Sequence, residues 1–321
     1  MRTLSSIFGS GVAIRNALYD RGSLKTRRLS RPVVSIGNIS VGGSGKTPFV
    51  IALCEILKER GIAFDVLSRG YGRRSSTVAP VDPNGRPEQF GDEPLLIARK
   101  LGAPVVVGSD RYQAGLFAEQ HYLTSIHLLD DAFQHRRLHR DFDIVMLPSS
   151  DLHDTLLPLG RLREPRSSLQ RADAVVMAAP VAEADLELAR RCMRFPENLW
   201  TVRRVLEIDQ SATGKLVAFC GLARPEQFFS QLRDLKMDLA ATPSFPDHHH
   251  YSQIDLDRLL KARADAGAAA FITTEKDLIN LGPFAARLQP LHVARLKMEL
   301  DAQRLASTIF KTLEQRCGCG F

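Results

Sequence analysis

Two groups of residues in this chain are spaced for chemistry on phosphate. The first is Ser40-Val41-Gly42-Gly43-Ser44-Gly45-Lys46-Thr47. Its glycines let successive backbone N–H groups turn inward as an anion site at a helix N-terminus. Lys46 then reaches the β- and γ-phosphates of a nucleotide, and the Thr47 hydroxyl suits Mg²⁺. Ser40 stands where the usual spacing has glycine, but the apolar strand pattern before it and the helical pattern after it support a phosphate loop. An ordinary glycine-rich turn has no reason to put Lys-Thr in the first helical turn. The second group is carboxylates. The apolar run from Ser125 ends in Asp130 and Asp131, and paired acids at the end of a buried strand need a cation or hydrogen-bond donors. The pattern suits Mg²⁺ ligation opposite Thr47. Asp92 and Glu93 open a further helix, where acids complement the helix dipole. An aspartate there is equally placed to take a proton from an attacking hydroxyl, and spacing leaves both readings open.

The elements that must position these residues are βα units. Strand patterns at 64–67, 105–108, 125–131, 142–148 and 174–179 alternate with helices, which predicts a P-loop NTPase-like α/β fold, a mostly parallel sheet flanked by helices. Ligands bind at the carboxyl edge of such sheets. Ser68-Arg-Gly-Tyr-Gly-Arg-Arg74 leaves a strand on that edge and offers forked guanidinium donors. Gln134-His-Arg-Arg137 crowds the same edge. Arg161 and Arg163 lie in a later loop, as anion contacts or simply solvated. A polar run at 203–214 separates a second, smaller α/β unit, which contains Phe245-Pro-Asp-His-His-His-Tyr251 and Thr274-Glu-Lys-Asp277. The predicted division is an N-terminal helix and basic collar over 1–31, a kinase-like core over 32–208 and the smaller unit over 209–321. Three adjacent histidines rarely converge on one ion, so a catalytic or hydrogen-bonding role fits one of them better than metal.

The chain has 321 residues and a formal net charge of +7, a mild basic excess that favours anionic partners without specifying nucleic acid. No run approaches the roughly 20 apolar residues of a spanning helix, and the N-terminus lacks a signal-peptide cleavage pattern. Leu4, Ile7, Phe8, Val12, Ile14, Ala17 and Leu18 recur instead at near-helical spacing, followed by Arg21, Lys25, Arg27, Arg28 and Arg31. This pattern fits a helix lying on an anionic membrane surface, or one packed on its own domain. Cys54, Cys192 and Cys220 read as small apolar side chains. Cys317 and Cys319 lack a second ligand pair at zinc spacing.

Taken in order, Ser-Ile-Gly-Asn-Ile-Ser-Val-Gly-Gly-Ser-Gly-Lys-Thr-Pro, Ser-Arg-Gly-Tyr-Gly-Arg, Gly-Asp-Glu-Pro, Asp-Asp-Ala-Phe-Gln-His and Phe-Pro-Asp-His-His resemble the tetraacyldisaccharide 4′-kinases of lipid A biosynthesis over nearly the whole chain. The resemblance implies transfer of the ATP γ-phosphoryl group, with Mg²⁺, to the 4′-hydroxyl of an acylated glucosamine disaccharide 1-phosphate. That step belongs to the cytoplasmic face of the bacterial inner membrane, with no nucleic acid involved. It further implies that Ser40 to Thr47 hold ATP, that Thr47, Asp130, Asp131 and Glu93 surround the metal, and that Asp92 is the base. His248 would orient that base, with His249 one residue away as the alternative. Arg69, Tyr71, Arg73, Gln134 and Arg163 would meet the substrate. The N-terminal helix would be the membrane anchor. A phosphate-loop switch or metallochaperone GTPase is the rival, with Thr274-Glu-Lys-Asp277 as the nearest guanine-reading candidate although it lacks the usual Asn. A non-catalytic membrane-binding module would leave the phosphate loop and Asp130-Asp131 unexplained.

Overall fold

The computed structural model describes residues 2–208 and 211–318; Cys319 lies outside them. Among the described residues, twelve strands form one sheet: β1 (Val33–Gly37), β2 (Phe64–Ser68), β3 (Ala79–Pro80), β4 (Val105–Val107), β5 (Ile126–Asp130), β6 (Phe142–Met146), β7 (Ala174–Ala179), β8 (Leu199–Glu207), β9 (Lys215–Ala218), β10 (Asp238–Ala241), β11 (Ala270–Thr274) and β12 (Leu291–Glu299). Their order is β10-β9-β11-β12-β8-β7-β6-β1-β5-β2-β4-β3. Neighbours are parallel except at β12/β8 and β3/β4. The expected mostly parallel sheet is therefore present, and β1 and β5 lie adjacent near its middle. Every residue of β1, β2, β5 and β6 is buried, as parallel strands covered on both faces must be.

The helices are α1 (Arg2–Asp20), α2 (Lys46–Glu59), α3 (Pro87–Phe90), α4 (Asp92–Leu101), α5 (Arg111–His121), α6 (Glu183–Cys192), α7 (Pro225–Asp234), α8 (Gln253–Ala266), α9 (Glu275–Leu281) and α10 (Ala302–Cys317). On one face α2, α4 and α10 share an apolar core with the sheet through residues such as Leu53, Leu57, Leu95 and Ile309. Strand β8 occupies part of the stretch that sequence reads as a polar link. Its residues alternate between buried and open positions, so the antiparallel pairing with β12 looks polar in one dimension. Helix α10 returns to the first half of the sheet, where Arg316 bonds Asp173 at 2.6 Å and the Asp141 carbonyl at 2.7 Å.

Among the described residues no helix is long and apolar enough to cross a membrane. Helix α1 packs by its polar side. Asn16 donates to Glu164 at 2.8 Å, Ser5 to the Leu156 carbonyl at 3.0 Å, and Arg136 reaches the Asn16 carbonyl at 3.1 Å. Leu4, Ile7, Ile14 and Leu18, spaced along one helical stripe, stay exposed. The helix is thus packed on its own domain by one face and leaves an apolar stripe open on the other.

Candidate active site

The phosphate loop leaves the carboxyl end of β1 and seeds α2. Gly45 caps that helix at φ 87°, a left-handed conformation that suits glycine. A Cβ there would also lie 2.8 Å from the Arg204 guanidinium. Arg204, reaching over from β8, donates to the Ser44 carbonyl at 2.8 Å, and Asn38 donates to the Ser44 hydroxyl at 3.1 Å. At the other end of the loop, the Val41 N–H donates to the Arg161 carbonyl at 2.8 Å, and the Arg161 guanidinium donates to the Val41 carbonyl at 2.8 Å. The Ser40 hydroxyl donates to buried Asp151. Ser40 and Val41 therefore brace the loop, which leaves the backbone from Gly42 onward as its open part.

Lys46 lies 3.3 Å from Asp131, which also meets Arg163 at 3.2 Å. Burial opposes the charge on Asp131, but Lys46 and Arg163 outweigh it and hold its proton affinity below the ordinary carboxylate value. Neighbouring Asp130 behaves oppositely. It is 1% exposed, one carboxylate oxygen has no partner, and the other takes only a long 3.4 Å bond from Ser68. Burial, and then the charges of Glu93 and Asp131, push it up to about 7. A buried carboxylate in that condition, beside a second acid and near the Thr-bearing helix start, fits a divalent cation. Among the described residues no three His, Cys, Asp or Glu side chains form a ready cage.

Asp92 begins α4, after Gly91 at φ 89°, where a Cβ would meet the Tyr71 carbonyl at 2.9 Å. His248 Nδ1 lies 2.9 Å and 3.0 Å from the two Asp92 oxygens. Asn280 donates to Asp92 at 3.1 Å, and Lys276 lies 3.8 Å away. Burial alone would raise the Asp92 pKa, but the His248 hydrogen bond, the Lys276 charge and Asn280 bring it down to about 2. Burial disfavours the charged imidazole of His248, while its bond to Asp92 draws its proton affinity above the usual value. His249 instead bonds Asp255 at 3.1 Å and stacks on Phe245, so the histidine in contact with Asp92 is His248. The backbone at Asp131 and at His248 is left-handed, φ 50° and 58°. Non-glycine residues pay strain there, and such strain concentrates at functional sites.

The remaining predicted contacts separate. Arg69, Gln134, Arg163 and Asp131 line one cleft of about 830 Å³, together with Arg111 and, from α1, Arg15. Tyr71 stands apart with its ring 5.1 Å from that of His248. Arg73 is tucked against Gly70. Sequence reading gave no role to Asn38, which lies inside the loop motif and bonds Ser44, or to Lys276, which lies inside Thr274-Glu-Lys-Asp277. Arg111, Arg204 and Asn280 sit in no motif and reach the site only through the fold. The guanine-reading candidate also changes meaning. Asp277 is fully buried and accepts bonds from Gly221 N–H at 2.7 Å, the Tyr251 hydroxyl at 2.8 Å and Thr274, so it cannot present its carboxylate to a base.

A strand, a glycine loop seeding a helix, and an adjacent strand ending in acids define a phosphate-loop α/β nucleotide-binding protein. The family model for tetraacyldisaccharide-1-P 4′-kinase matches residues 1–314. The chain belongs to that family. The tetraacyldisaccharide 4′-kinase of Koribacter versatilis is 45% identical, over 99% of this chain and 100% of its own. That of Aquifex aeolicus is 36% identical, over 95% and 97%. A crystal structure of LpxK from Aquifex aeolicus in complex with ATP has a TM-score of 0.76 at 34% identity, covering 97% of both chains.

Proposed function

We propose that this protein transfers the γ-phosphoryl group of ATP to the 4′-hydroxyl of a tetraacylated glucosamine disaccharide 1-phosphate, the step that forms the bisphosphorylated lipid A precursor. The observation that carries the reading is the joint presence, in a chain of this family, of a phosphate loop with Lys46 and a second carboxylate, Asp92, already oriented by His248. Phosphoryl transfer passes through a loose transition state that needs positioning and charge neutralisation more than covalent help. Lys46 bears on the transferring phosphate, with the open backbone from Gly42 to Thr47 around it. Mg²⁺, held by Thr47 and Asp130 with Asp131 and Glu93 nearby, would supply charge neutralisation on the phosphates. Asp92 accepts the hydrogen bond of the attacking 4′-hydroxyl. Its pKa of about 2 keeps it ionised at any working pH but makes it a weak base, so it orients the hydroxyl first and takes the proton late, as the new P–O bond acidifies that group. The arginine-rich cleft, with Arg69 and Arg163, suits the substrate's 1-phosphate.

The exposed stripe of Leu4, Ile7, Ile14 and Leu18 supports docking of α1 on an anionic bilayer, at the cytoplasmic face of the inner membrane where an acylated acceptor would be met. The direct test is transfer of radiolabelled γ-phosphate to the disaccharide 1-phosphate in mixed micelles. Folded protein that hydrolyses or ignores ATP without labelling that lipid would overturn the proposal. For the helix, Ile7→Asp with Ile14→Asp is expected to abolish co-sedimentation with anionic vesicles while shifting unfolding by no more than about 0.5 kcal/mol per site.

A further inference from the structure

The Thr274-Glu-Lys-Asp277 stretch is excluded from reading a base, yet its lysine sits in an unusual place. Thr274 caps α9 by accepting the Asp277 N–H, which fixes Lys276 in the first helical turn. The Lys276 side chain is 14% exposed. Its ammonium lies 2.9 Å from Asp247 Oδ1, 3.3 Å from His248 Nε2 and 3.8 Å from Asp92 Oδ2. Burial works against its charge, and Asp92, Glu93 and Asp247 outweigh that and keep it protonated. Asn280, four residues on and so on the same face of α9, donates to Asp92.

An ammonium has three donors and no acceptor. Its approach to Nε2 is favourable only if that nitrogen carries a lone pair. The single ring hydrogen then sits on Nδ1, the atom facing Asp92. In the opposite tautomer an Nε2–H would point at the ammonium and a bare Nδ1 at a carboxylate. We infer that Lys276 is a positioning residue that keeps the ring hydrogen of the neutral His248 imidazole on Nδ1 and thereby holds Asp92 in the orientation that receives the acceptor hydroxyl. Asp247 anchors the lysine from the loop, one residue from the histidine it acts on. The strained φ of 58° at His248 is the backbone cost of turning the ring into this gap between α4 and α9.

The inference rests on the kinase reading with Asp92 and His248 on the acceptor side, so the experiment separates the two. Full-length protein labelled with ¹⁵N-histidine is measured at about pH 9, where the imidazole is neutral, with His248→Gln assigning the resonance, beside steady-state kinetics on the lipid acceptor. The expected wild-type signature is a protonated Nδ1 and a bare Nε2. Lys276→Met is expected to protonate Nε2 and to lower kcat about 10- to 100-fold, with KM for ATP changed less than about twofold because the lysine touches no part of the phosphate loop. Asp247→Asn should move both readouts the same way by less. A wild-type ring protonated at Nε2 overturns the inference, and that measurement stands even where Lys276→Met fails to fold. So does a folded Lys276→Met enzyme with unchanged kcat. Wild-type protein that does not label the lipid defeats the kinase reading instead, whatever the ring signature.

Discussion

Asp92 and Asp130 are the same residue type, both buried at 5% and 1% exposure, and both end or begin elements at the same edge of the sheet. Their proton affinities move in opposite directions, to about 2 and about 7. The chain surrounds Asp92 with His248, Asn280 and Lys276, so its charge is satisfied from within. Around Asp130 it places Glu93 and Asp131 and leaves one oxygen without a partner. On the proposed reading, the acceptor side is complete in the polypeptide alone, and the nucleotide side only with a cation such as Mg²⁺ added.

The widest break in this comparison should come from Lys46→Ala. The nucleotide side acts by charge, so loss of this lysine is expected to reduce kcat about 10⁴-fold, read by single-turnover phosphate transfer. A loss below tenfold would mean that Arg163 or Arg204 carries the role given to Lys46. Asp92→Asn should cost less, about 10²- to 10³-fold in kcat, with KM for ATP nearly constant. If KM for ATP rose with it, Asp92 would belong to the nucleotide side and the contrast would collapse.

The two sides also differ in how far they could be read before folding. The nucleotide side lies within one continuous loop and one strand end, so its chemistry is visible as Lys46-Thr47 and Asp130-Asp131. Parallel strands buried on both faces are near-continuous apolar runs, which made most of the sheet legible as well. The acceptor side joins residues 92, 248, 276 and 280, far apart in the chain. Asp92 and His248 were found through their motifs, while Lys276 and Asn280 were not, because a helix face carries no signature of what it will pack against. Ser40 shows the converse limit. It stands in the loop motif, yet its hydroxyl turns away to Asp151. The return of α10 to the first half of the sheet is likewise set by the packing of Arg316 on Asp173, which no local pattern announces.

Stability sharpens the comparison further. Asp92→Asn removes the charge opposite Lys276 and replaces one acceptor oxygen with an NH₂ that faces donors, so the buried donors at that oxygen lose their acceptor. Breaking a buried pair from one side is expected to lower unfolding free energy by about 3 kcal/mol, measured by denaturant titration. An unchanged midpoint would show that water or Asp247 can replace Asp92, and the acceptor side would not be the finished structure described.

Asp130→Asn should act in the opposite sense. In chelator-treated buffer the wild-type carboxylate has a folded pKa of about 7, above its unfolded value of about 3.9. Between those values the folded state binds more protons than the unfolded one. By linkage, stability therefore falls as pH rises through this window, and the loss is complete above pH 7. An amide at 130 does not titrate and has no such loss. The variant should match the wild type near pH 4 and exceed it at pH 8, while having little activity at either. Saturating Mg²⁺ with ATP should erase the difference at pH 8 by stabilising the wild type alone, since only a charged residue 130 attracts the cation. If the variant is instead less stable at pH 8 without metal, Asp130 has a partner within the chain, and the two aspartates are alike after all.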